Sequence, residues 1–205
     1  MIFDIIYLLL LITGIIILVE NRLGRVIALC SVQGLLLCGP VFQVYSPYEF
    51  HSWALTALIL VFKTFLTPYI LFYYLKQVRL FEHVKPRFGY QVSIFLFLIG
   101  LFAALSISRS IHNMPVHIDR IGLIYVILLI YLGILTFIAS RHWIVLIIGF
   151  VMFENGVFLL TLILHKGLPF GTEIVSFADA FLVIVAAAVL QRKVDSFKNS
   201  SGSRE

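Results

Sequence analysis

Three ionisable side chains stand in the middle of long apolar runs: Lys63, Glu154 and Asp179. A charge at the centre of a bilayer costs roughly 2.5–3.5 kcal/mol on insertion scales, so each implies a partner or a use. The chemistry open to such a set is ion handling, not bond making. Two carboxylates at membrane depth can share and pass a proton, because two like charges in low dielectric do not both ionise cheaply. A cation can in principle stand in for the proton. The competing account is structural, with each charge satisfied by a neighbour and serving only to fix helix packing.

Sequence spacing puts the three at comparable depth. Glu154 lies 11 residues from both Trp143 and His165, about 16 Å from either end of its run at the helical rise. Asp179 lies 7 residues in from Thr172, about 10 Å deep. The short link over 166–171 makes these two runs antiparallel neighbours, with the acids about 6 Å apart in depth, within reach of a water bridge. Lys63 lies 11 residues from Ser52 and 12 from Leu75. Three charges from three helices are therefore expected in one layer.

Polar neighbours extend the set. Thr161 and His165 fall on the Glu154 stripe, and Ser176 lies close to the Asp179 stripe. Asn155 adjoins Glu154, and it or Ser176 can satisfy an acid. Glu173 belongs elsewhere: it follows Gly171-Thr172 at a helix start, where an acid complements the helix dipole, and it points to another face than Asp179. Pro68 lacks an N–H, so it should free the carbonyl of Thr64 and distort the helix beside Lys63.

The elements that carry these residues follow from composition. Of the 205 residues 61% are hydrophobic and 12% charged, and the mean hydropathy is +1.08. Soluble domains are about 45–50% apolar and about 25% charged, so a water-soluble fold is excluded. Seven runs are long enough to span, near 2–19, 26–45, 52–75, 91–108, 121–139, 143–165 and 172–191. They must be helices, because open sheet cannot satisfy its backbone in lipid. The expected fold is an all-α, polytopic integral membrane protein. It divides into a four-helix part (1–110), a three-helix part (111–193) and a mobile polar tail (194–205).

Lys and Arg set the orientation. Eleven fall on alternate connections with the C-terminal tail and three on the others. The positive-inside rule then puts the N-terminus outside and the C-terminus in the cytoplasm of a cytoplasmic (inner) membrane. The first run has no basic region before it and is expected to be a retained span. The net charge of +5 sits at the ends of spans and points to the lipid bilayer, with no nucleic-acid partner. Cys30 and Cys38, eight apart, fit no cluster or redox motif, and His112, His117 and Asp119 fit no metal motif. No cofactor or metal is expected on this chain. Gly14, Gly34 and Gly39 would let helices approach closely, Gln33 and Gln43 can bond across helices, and Pro40 should bend the second span.

Several of these residues together carry a family resemblance. Arg141 is followed at thirteen residues by Glu154, with Gly149 between and Met152-Phe153-Glu154-Asn155-Gly156 as the signature. The last span joins Glu173 and Asp179 to a small-residue run ending in Gln191-Arg192-Lys193, and the third holds Lys63-Thr64-Phe65-Leu66-Thr67-Pro68. This pattern resembles the hydrogenase-4 component E family, membrane subunits of formate hydrogenlyase-type energy-converting complexes. It covers most of the chain and is strongest from Tyr131 to Lys193. The last three spans are similar to the small K-type subunit of respiratory complex I. They depart from it in one respect: Glu154 stands about one helical turn from where the complex I pattern places its first acid.

The resemblance implies a non-redox subunit between antiporter-like membrane subunits and the membrane base of a hydrophilic redox arm. Iron–sulfur and metal centres would belong to partner subunits. Lys63, Glu154 and Asp179 would form the ion pathway, with Glu173, His165, Asn155 and Ser176 as secondary candidates. A multisubunit cation/proton antiporter or a stand-alone secondary transporter is the alternative setting.

Overall fold

In a computed structural model the chain is described over residues 2–44, 48, 50–77, 89–111, 120–140, 142–164 and 192. All extended regular structure among the described residues is helical. Helix α1 spans Ile2–Val19 and α2 Leu23–Val44. The third run is composite, with α3 (Phe50–Ile59), a π-helical segment (Leu60–Leu66) and α4 (Thr67–Gln77) in one continuous rod. Then follow α5 (Gly89–Ile111), α6 (Arg120–Ala139) and α7 (Trp143–Ile163). These ranges agree with the first six expected runs to within a few residues. The seventh expected run, 172–191, and the tail 194–205 lie outside the described residues.

Five helices are long and apolar enough to cross a membrane, and α1 adds a shorter apolar helix over Phe3–Val19. The chain is a multi-pass helical membrane protein. Burial patterns say the same. Helix α5 turns Phe95, Leu98, Ile99 and Phe102 outward, with Phe102 74% exposed. A helix with apolar side chains on both its packed and its open face suits lipid, not water.

Helices α6 and α7 form the tightest pair. Ser140 and His142 lie in the short connection between them. His142 N donates to Ser140 Oγ at 3.2 Å, and Ile144 N donates to His142 Nδ1 at 3.3 Å, capping α7. Along the seam an added Cβ at Gly149 would stand 2.6 Å from Phe137 N, and one at Gly156 2.8 Å from Ile130 N. Gly133 faces the Phe153 backbone in the same way. Without a hydrophobic driving force between helices in lipid, such small-residue seams let backbones close to full van der Waals contact. Around this pair α1 packs on α6 and α2, α2 packs on α7 and on the third rod, and α5 packs on α6.

Candidate functional site

The site is built where α2, the third rod and α7 meet. Pro68 supplies no N–H for the Thr64 carbonyl, and that carbonyl accepts instead from Ser31 Oγ of α2 at 2.6 Å. The expected distortion takes the form of the seven-residue π segment rather than a simple bend. Its end is held by Thr67, whose backbone N–H and Oγ1 both donate to the Phe62 carbonyl, the latter at 2.9 Å. π segments of this kind re-aim side chains inside otherwise regular helices.

Gly34 brings α2 against this segment. A Cβ there would stand 2.8 Å from the Lys63 carbonyl carbon and 2.9 Å from Thr64 N. Glycine thus permits backbone-to-backbone contact at the residue that carries the amine. Gly39 of the same helix meets Ile6, and Gly14 of α1 meets Leu132 and Met152. All three glycines serve close approach, as their small size predicts.

Lys63 is buried, with 3% of its surface exposed. Its Nζ donates to Asn155 Oδ1 at 2.8 Å and stands 5.6 Å from the centroid of the Phe158 ring. Asn155 and Phe158 are three apart on α7 and share a face. The amide and the negative face of the ring both suit an ammonium. Glu154, the residue before Asn155, is itself buried on α7 at 8% exposure. The shared depth of Lys63 and Glu154 expected from spacing is therefore seen, and Asn155 is the residue that ties the two helices at that level. Thr161, one turn beyond Phe158, turns its hydroxyl to the Phe158 carbonyl at 2.7 Å.

The polar contact continues past Asn155. Its Nδ2 donates to Gln33 Oε1 at 3.3 Å, and Gln33 Nε2 donates to the Leu10 carbonyl of α1 at 3.4 Å. Gln33 and Asn155 are fully buried. A bonded path thus runs from the third rod through α7 and α2 to α1, surrounded by Leu10, Leu37, Ile59 and Phe158. Gln43 also bonds across helices, accepting from Tyr7 Oη at 3.1 Å. Cys30 is buried, Cys38 half-buried, and both are free thiols.

Of the expected site residues, the structure joins Lys63 to Asn155, and it buries Glu154 one position before Asn155 on α7. Asp179, Glu173, His165 and Ser176 lie outside the described residues. Gln33 is the member that spacing alone did not assign to the site. Its signal was an amide in an apolar span next to a glycine, which marks a helix contact but not what lies across it.

Fold and site together define a multi-pass helical membrane protein with a buried polar layer on at least four helices. No protein-family model, curated protein or solved structure matches this chain.

Proposed function

We propose that this chain is a non-redox membrane subunit of an ion-translocating oxidoreductase complex, hydrogenase-like or complex I-like, in the cytoplasmic membrane. It contributes buried charges to a proton or cation pathway that is driven by electron transfer in other subunits. Lys63, Glu154 and Asp179 act as proton-holding and electrostatic relay groups. Antiporter-like subunits and the membrane base of a redox arm are its partners, and those partners hold the iron–sulfur and metal centres. The N-terminus faces outside and the C-terminus the cytoplasm.

One observation carries this reading: Lys63 Nζ meets Asn155 Oδ1 at 2.8 Å in the buried interior, on the residue that follows the buried Glu154 in α7. That contact joins two of the stretches that carry the resemblance to hydrogenase-4 component E, KTFLTP and MFENG. A deep amine is costly to keep in a membrane protein unless its charge is used. A hydrogen-bonded amine in that layer suits a group that holds and releases a proton, or that lowers the proton affinity of acids along the same path by its charge.

The test is ion movement by the intact complex isolated with this chain. Lys63→Met, Glu154→Gln and Asp179→Asn are each expected to assemble and to lower ion movement per electron transferred, because each removes an ionisable group from the path. Assembled complexes that pump at full rate with all three substitutions would overturn the pathway role. The polypeptides that co-purify with the chain separate a redox complex from a cation/proton antiporter.

A further inference from the structure

The amide chain that ends on Lys63 has a direction, and its origin lies two helices away. Gln33 Nε2 donates to the Leu10 carbonyl at 3.4 Å. A backbone carbonyl can only accept, so it fixes which end of the Gln33 amide faces α1. The Gln33 oxygen is thereby turned to α7, where it accepts from Asn155 Nδ2 at 3.3 Å. The Asn155 oxygen is then turned to the third rod, where it accepts from Lys63 Nζ at 2.8 Å. The sense of the chain is set at both ends, because the Leu10 carbonyl only accepts and an ammonium only donates.

Flipping either amide would set donor against donor at one end and acceptor against acceptor at the other. Both groups are fully buried, so water cannot repair such a mismatch. The register is locked as well. Gly34, adjacent to Gln33, touches the Lys63 backbone, and Ser31, two residues before Gln33, holds the Thr64 carbonyl. Helix α2 thus grips the backbone around Lys63 and orients the partner of its side chain at the same time.

We propose that Gln33 is a positioning residue for Lys63: anchored on the Leu10 carbonyl, it holds the Asn155 amide in place with its oxygen on Nζ. The consequence of that orientation for ion movement rests on the function proposed above; the orientation itself does not.

The experiment reads the Lys63 side chain directly. The full chain is labelled with 15N-lysine, placed in lipid nanodiscs and examined by NMR, with the Lys63 Nζ resonance assigned by its loss in Lys63→Arg. Gln33→Met is expected to move this resonance and to speed its hydrogen exchange about tenfold or more, the factor for one hydrogen bond to a charged group. Asn155→Leu should do the same, and the double variant should do no more than Asn155→Leu alone. Gln43→Met removes another cross-helix amide and should leave the Lys63 signal in place.

In an Asn155→Asp background both ends of the side chain present oxygen, so adding Gln33→Met should not speed the exchange at Nζ as it does beside Asn155. If Gln33→Met does not fold, Gln33→Asn keeps a buried amide one methylene short of spanning Leu10 and Asn155, and it is read in the same way. An unmoved Lys63 resonance in a folded Gln33 variant, or additive effects in the double variant, would overturn the proposal. Full ion transport by Lys63→Met would instead overturn the pathway reading and leave the orientation result standing.

Discussion

Lys63 shows what a buried amine requires inside an apolar bundle. Its Nζ is met by an amide oxygen at 2.8 Å and by the face of Phe158. Removing that oxygen while keeping the amine should be costly, because a buried charged donor loses an acceptor. Asn155→Leu is expected to lower unfolding stability by about 1.5–3 kcal/mol, the range for hydrogen bonds to charged groups. Lys63→Met/Asn155→Leu should lose less than the two single variants added together, since the amine that needs the acceptor is gone. Thermal unfolding in detergent across the four proteins measures this, and strict additivity would mean that the contact carries no energy. Asn155 was legible in the sequence as a possible partner because it adjoins Glu154. Gln33 was legible only as a polar group able to bond somewhere, because its reach depends on α2 lying between α1 and α7.

At the scale of the element, the third rod is governed by what Pro68 withholds and what α2 supplies. The Thr64 carbonyl, released by the proline, is taken by Ser31. Ser31→Ala should therefore cost about 0.5–1.5 kcal/mol in the native sequence. In a Pro68→Ala background, where residue 68 regains an N–H for that carbonyl, the same Ser31→Ala change should cost close to nothing. An unchanged cost in both backgrounds would show that Ser31 acts through something other than the carbonyl. Close approach gives a second test. Gly34→Ala puts a methyl group 2.8 Å from the Lys63 backbone, whereas at Gly24 the nearest atom to such a methyl is Phe72 Cε2 at 3.9 Å. Gly34→Ala should lose about 1–3 kcal/mol, the usual range for overpacking. Gly24→Ala should be neutral or slightly stabilising, since alanine is the better helix former. Equal effects at both positions would contradict the backbone contact at Gly34.

At the scale of the whole molecule, hydrophobicity alone does not say which helix faces lie inside, since apolar residues occupy both. The glycine seam settles this for α6 and α7, and the outward aromatics of α5 settle it for that helix. Orientation across the membrane rests on charge. The basic connection at Arg22 and Arg25 is expected in the cytoplasm and the segment around Tyr48, 96% exposed, outside. With Cys30 and Cys38 replaced by Ala, a membrane-impermeant maleimide added to intact cells should label Tyr48→Cys and spare Arg25→Cys. Labelling of Arg25→Cys alone would invert the topology.

What the sequence determined by itself is the class, the positions of the first six helices and the depth of Lys63 and Glu154. Those follow from one-dimensional physics: apolar length must match bilayer thickness, and a residue's depth in a helix is a count multiplied by a rise. The freed carbonyl at Thr64 was legible for the same reason, since proline acts on its own chain four residues back. Only the tertiary structure decided who receives that carbonyl, that the distortion is a π segment, and that Lys63 meets Asn155 with Gln33 behind it. Those facts depend on rotation of each helix about its axis and on which helices are neighbours. Both are set by small-residue contacts between backbones such as Gly34 against Lys63 and Gly156 against Ile130. A glycine in a span announces that something comes close, and only the folded bundle says what.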